Sequence, residues 1–110
     1  MVIEQVLYDY LNSVLEVDAY FEVKDIDEYV LIEKFESRRV NGLMTAGFTF
    51  ECYSDSLINS ILLEQTLQEA MDDFSTTTNI FEVSLNNSQN LTDTTLKRYC
   101  QCSTYFITYI

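Results

Sequence analysis

Eighteen acidic side chains and no histidine frame the chemistry open to this sequence of 110 residues. Without histidine the commonest general base is missing, so acid–base work would fall to carboxylates. Asp25, Asp27 and Glu28 crowd together ahead of an apolar run, Glu33 and Glu36 flank Phe35, and Asp72 and Asp73 follow a long amphipathic stretch. A cluster of this kind can hold a hard cation, and a converging pair can exchange a proton. The spacing of a calcium loop is absent, however, and no glycine marks its sharp turn, so a solvated charged face is the better reading. No Ser, Thr or Cys sits in a nucleophile motif such as GxSxG. Two glycines cannot build a phosphate loop of the Walker or Rossmann kind. The expectation is a chain with no catalytic residue, no metal site, no cofactor and no enzymatic activity.

The cysteines, Cys52, Cys100 and Cys102, are odd in number. Cys100 and Cys102 are two apart, so in a strand they point the same way but sit too far apart for easy bridging. There is no CxxC pair and no histidine to complete a zinc set. Small buried hydrophobes in a reducing cytoplasm account for them.

The net charge is −12, with only six basic residues. Binding to nucleic acid through phosphate neutralisation is disfavoured, as is adhesion to anionic lipid. Three readings of the charge stay open: solubility, a basic partner, or mimicry of DNA. Of the eight tyrosines, only Tyr99, in Lys97-Arg98-Tyr99, adjoins basic residues as a nucleic-acid stacking platform requires. Tyrosine on sheet faces fits a core or a protein interface better. The N-terminus lacks the basic region of a signal peptide and no run is long enough to span a membrane. The chain is therefore expected not to be secreted, and the sequons at Asn86 and Asn90 carry no weight.

These residues need elements to position them. A length of 110 residues makes residues 1–110 one domain able to bury a core unaided. Residues 2–15 carry apolar positions at helical spacing from Val2 to Leu15. Ala19 to Val23 is a short strand, and Tyr29 to Phe35 a strand apolar on both faces. Glu36 to Gly42 is a polar loop ending in Asn-Gly, after which Leu43 to Tyr53 alternates cleanly, as in a long hairpin with Arg38 and Arg39 near its tip. Ser54, Asp55 and Ser56 offer an N-cap for a helix running to about Phe74. In projection, Leu57, Ile58, Ile61 and Leu62 centre near about 70° and Leu63, Leu67, Ala70, Met71 and Phe74 near about 265°. One patch should pack on the sheet; the other needs cover from the first helix or from a neighbouring subunit. Ile80 to Leu85 is a strand, Asn86 to about Thr95 a polar connection, and Leu96 to Ile110 a last strand. Its end, Tyr105 to Ile110, is apolar on both faces, which exposed would be an aggregation hazard. The predicted fold is α+β in the order α-β-β-β-α-β-β, a mostly antiparallel sheet with two helices packed on one face.

This layout resembles the tail-terminator or tail-completion (head–tail joining) proteins of long-tailed bacteriophages and prophages. The matching stretches are Tyr29-Val30-Leu31-Ile32-Glu33-Lys34, the hairpin tip with Arg39 and Asn41, and the alternating strand from Ala46 to Ser54. The helix from Leu57 to Phe74 follows, then Arg98-Tyr99-Cys100-Gln101 and Phe106-Ile107-Thr108-Tyr109. The likeness covers nearly the whole chain. It rests on the order of these elements rather than on one diagnostic motif, and Cys100 and Cys102, with no proline before Tyr29, depart from the family pattern.

The resemblance implies a virion assembly protein that caps the tail tube and joins it to the head. It would act as a ring of copies of itself, commonly a hexamer and monomeric before it meets the tube. Its partners would be the tail tube protein and the head connector protein, with no membrane and no sequence-specific nucleic acid. Its place would be the host bacterial cytoplasm during assembly and then the virion, and the hairpin would be a mobile arm that orders on assembly. The expected interface residues are Arg38, Arg39, Val40 and Asn41 at the tip, Ile58 and Leu62 on the second helix, and Tyr105, Ile107 and Tyr109 on the last strand. The competing reading, from the charge and small size, is an acidic DNA-mimic inhibitor of a DNA-binding protein.

Overall fold

A computed structural model describes residues 1–110. The elements are α1 (Ile3–Val14), β1 (Ala19–Tyr20), β2 (Tyr29–Val40), β3 (Leu43–Ser54), α2 (Leu57–Phe74), β4 (Ile80–Asn90) and β5 (Tyr99–Tyr109). The strands form one sheet in the order β1-β2-β3-β5-β4, antiparallel except where β1 pairs with β2. This is the α+β fold and element order expected from the sequence, with both helices on one face.

Alternation decides which side chains go under the helices. In β3 the even positions Ala46, Phe48, Phe50 and Cys52 face inward, and antiparallel pairing sets them beside Ile107, Tyr105 and Ser103 of β5 and Ile32 and Val30 of β2. Ile3, Leu7 and Leu11 of α1 and Leu67, Met71 and Phe74 of α2 close over them, giving one cluster of 18 buried residues. Each large side chain in this cluster contributes about 1.5–3 kcal/mol by leaving water. The helices touch where the Tyr10 hydroxyl donates to the Ala70 carbonyl at 2.6 Å and its ring meets Phe74, 4.9 Å between centroids. Asn12 holds β1 in place, accepting from the Ala19 N–H and donating to the Ala19 carbonyl. α2 starts as expected, with the Ser56 hydroxyl accepting from the Asn59 N–H at 3.1 Å, satisfying one of the orphan donors of the first turn.

Four boundaries differ from the sequence expectation. β1 ends at Tyr20 rather than Val23, because only Ala19 and Tyr20 find partners on β2. Glu36 to Val40 is strand rather than loop, because after a bulge between Lys34 and Glu36 it pairs with β3 up to Val40 and Leu43. Only Asn41 and Gly42 turn, at φ 52° and 82°, the positive values a two-residue hairpin demands. Asn86 to Asn90 extends β4, because its polar residues pair with Gln101 to Thr104 of β5. Leu96 to Arg98 belongs to the turn before β5, closed by a backbone pair between Asp93 and Arg98.

The other sheet face carries no helix. There Phe35 lies over Gly47, where a Cβ would come within 2.5 Å of the ring, so this strand glycine makes room for an aromatic. Phe35 also meets Phe106 edge-on at 5.8 Å. Tyr29 and Tyr53 stack at 4.9 Å.

Candidate functional site

Arg38, Arg39, Val40 and Asn41 gather at the hairpin tip. Arg38 pairs with Glu36 at 3.3 Å, and the Arg39 Nε–H points to the Met44 sulfur at 3.3 Å. β5 stays paired with β3 as far as Met44, opposite Tyr109, so only the turn itself projects past the sheet. Val40 and its register partner Leu43 are the exposed apolar residues there.

Ile58 and Leu62 face solvent, 65% and 52% exposed, with Leu57 beside them. The inner side of α2, with Leu67, Met71 and Phe74, is fully buried. The two-sidedness expected of this helix is therefore present. α1 meets α2 at Ala70 and Phe74 and leaves the outer stripe bare. Beside the stripe, a groove of about 470 Å³ is lined by Val14, Val17, Leu62 and Leu63.

Tyr105, Ile107 and Tyr109 are not surface residues. They are 2%, 0% and 6% exposed and belong to the core, which corrects their expected place at an interface. The register sets Tyr105 beside Phe48 and Ile107 beside Ala46 on the helix-covered face. The opposite set, Thr104, Phe106 and Thr108, is half-buried on the open face. The expected residues therefore split three ways. The tip lies at one end of the sheet, the stripe on the first half of α2 follows the other end of β3, and the β5 trio lies inside.

The carboxylate clusters separate as well. Glu28 accepts from the Ser54 hydroxyl at 2.7 Å, while Asp25 and Asp27 line a cleft. Asp72 and Asp73 are exposed at the end of α2. No group of three His, Cys, Asp or Glu side chains is placed to hold a metal ion. Glu64 is buried between α2 and the sheet, its Oε2 accepting from the hydroxyls of Ser88 at 2.9 Å and Ser103 at 2.8 Å. Two hydroxyl donors in place of a cation make this a pin between α2, β4 and β5.

All cysteines are free and buried. Burial pushes the Cys52 thiol well up, Cys100 up to about 12 and Cys102 up to about 11, with nearby carboxylates adding to each shift. At neutral pH they are thiols, and so poor nucleophiles and poor metal ligands.

One grouping escaped the sequence reading. Lys24, Lys97 and Arg98 line a cleft of about 550 Å³ together with Tyr29, Tyr53 and Tyr99. The run Lys97-Arg98-Tyr99 was the visible signal. The addition of Lys24, Tyr29 and Tyr53 depends on loops from distant parts of the chain.

No helix of the structure is long and apolar enough to cross a membrane. No protein-family model matches the chain, and a search of curated proteins finds no match to it.

Proposed function

We propose that this protein is a non-enzymatic assembly protein of a long-tailed phage, capping the tail tube and joining it to the head as a ring of like subunits. The observation that carries the reading is the bare stripe of Leu57, Ile58 and Leu62 on a helix whose other side is fully buried. Burying these side chains against another surface returns about 25 cal/mol per Å² removed from water, and apolar residues clustered this way mark interaction sites. The ordered likeness to tail-terminator proteins supplies the identity of the partners: a second copy, the tube and the head connector. β4 supports the same reading. It is an unpaired edge, exposed along nearly its whole length, and its chain from Val83 to Thr92 holds no charged residue. Such an edge offers backbone groups to a neighbour.

Electron microscopy of tail tubes mixed with the protein tests this. Density at tube ends with the wild type, absent with the Ile58→Asp, Leu62→Asp double variant, is the expected result. Bare tube ends with the wild type overturn the reading. The DNA-mimic reading rests on the charge of −12 alone. It requires a DNA-binding enzyme to be recovered from host lysate, and it leaves the apolar stripe without a role.

A further inference from the structure

The basic residues of this acidic chain are not spread evenly. Lys34 is paired with Glu4 at 2.9 Å and Arg38 with Glu36, while Arg39 has no ion pair and stands alone at the hairpin tip against the Met44 sulfur. The remaining three of the six, Lys24, Lys97 and Arg98, make no ion pair and share one cleft. Asp25 and Asp27 line the same cleft, also unpaired, so its charged lining is three cations against two carboxylates.

The walls are built rather than loose. The Asp93 carboxylate accepts from the N–H groups of Thr95 and Leu96, and Asp93 and Arg98 exchange backbone hydrogen bonds. Lys97 sits at φ 53°, a left-handed conformation that a lysine adopts only under constraint. Arg98 lies over the Tyr53 ring at 5.2 Å, and Tyr53 is backed by Tyr29. A guanidinium placed over an aromatic ring, with no side-chain acceptor of its own, keeps N–H donors for a bidentate acceptor. Lys24 is steadied in turn over Tyr20 at 4.7 Å.

Two bodies of charge −12 repel, and a place where unpaired positive charge meets the acidic surface offsets that repulsion and fixes the register of contact. We propose that this cleft is that place: it receives an exposed carboxylate of a second copy of the chain onto Arg98, with Lys24 and Lys97 beside it. The inference rests on the assembly reading and names the chemistry of one subunit contact. Position agrees, since Ser54 at the end of β3 lines the cleft and Leu57, three residues on, begins the apolar stripe. Charge and apolar surface therefore lie at the same end of the molecule.

Analytical ultracentrifugation from micromolar to millimolar protein, at low and high salt, tests it. The samples are the wild type, Arg98→Glu, Lys97→Ala and Ile58→Asp, each checked for folding by circular dichroism. Arg98→Glu is expected to weaken association about tenfold or more at low salt and by less at high salt, where the ion pair is screened, with Lys97→Ala acting in the same direction as a milder variant. Association lost in Ile58→Asp but unchanged in both cleft variants overturns this inference and leaves the assembly reading standing. A wild type that stays monomeric throughout overturns the inference too, while the assembly reading is judged separately at the tube ends. If inorganic phosphate shifts the NMR signals of the cleft while association ignores both cleft variants, the cleft is a small-anion site and the inference falls.

Discussion

Tyr105, Ile107 and Tyr109 of β5 and Leu57, Ile58 and Leu62 of α2 are stripes of three mainly apolar side chains each. The first is buried under two helices, and the second stands in water. β5 lies between β3 and β4, so its side chains can face only the helix layer or the open face. α2 is a cylinder resting on a sheet, and whatever it does not turn toward β3 and β5 stays outside unless another element crosses it. α1 crosses too near the C-terminal end of α2 to do so. An apolar stripe therefore marks an interface only when every element of its own chain has been placed and none covers it.

Breaking the inner stripe should have the largest effect. Ile107→Ala removes a fully buried side chain and should cost about 2–5 kcal/mol, read from urea unfolding midpoints. A loss under about 1 kcal/mol would mean that the helix layer over β5 is loose.

Next comes pH. Cys100 and Cys102 on the open face of β5 and Tyr105 on its covered face have folded pKa values raised to about 12, about 11 and about 12 by burial. The neutral forms are favoured in the fold, so their contribution is complete below about pH 9 and is lost as pH rises toward 12. Thermal melts should hold level from pH 7 to 9 and fall steadily above. Thiol labelling at neutral pH should be slow unless the chain is unfolded.

Ser56→Ala removes the cap of the outer-stripe helix and should cost about 1 kcal/mol. Frayed amide protection confined to the first turn of α2 would accompany it. Smallest of all is the effect on folding of Ile58→Asp with Leu62→Asp, within about 0.5 kcal/mol, because neither side chain supports the monomer. A large destabilisation there would erase the contrast between the stripes and place this face of α2 within the fold.

Periodicity was enough for the element order, the alternation of β3 and the two-sidedness of α2, and the polar run Ser54-Asp55-Ser56 for a capped start to α2, though not for which of the three is the cap. These are local matters, governed by alternation, helical projection and hydrogen-bonding side chains. Strand ends were less legible. Glu36 to Val40 and Asn86 to Asn90 are polar enough to read as loops, and they are strands because partners opposite them hold their backbone groups. The candidate site was legible in part. Ile58 and Leu62 were visible because a helix with apolar residues on opposite sides cannot bury both against one sheet. Tyr105, Ile107 and Tyr109 were misplaced because a strand apolar on both faces does not announce which face its own helices will cover.

Composition, the absence of histidine, the charge of −12 and the periods that select helix or strand are all written in the order of the residues. Which apolar stripe stays in water and which cations gather became fixed when the elements packed. Both depend on where segments far apart in the chain meet. Lys24 and Arg98 become neighbours of one cleft because the connections before β2 and before β5 converge on Tyr29 and Tyr53, and no local pattern encodes that convergence.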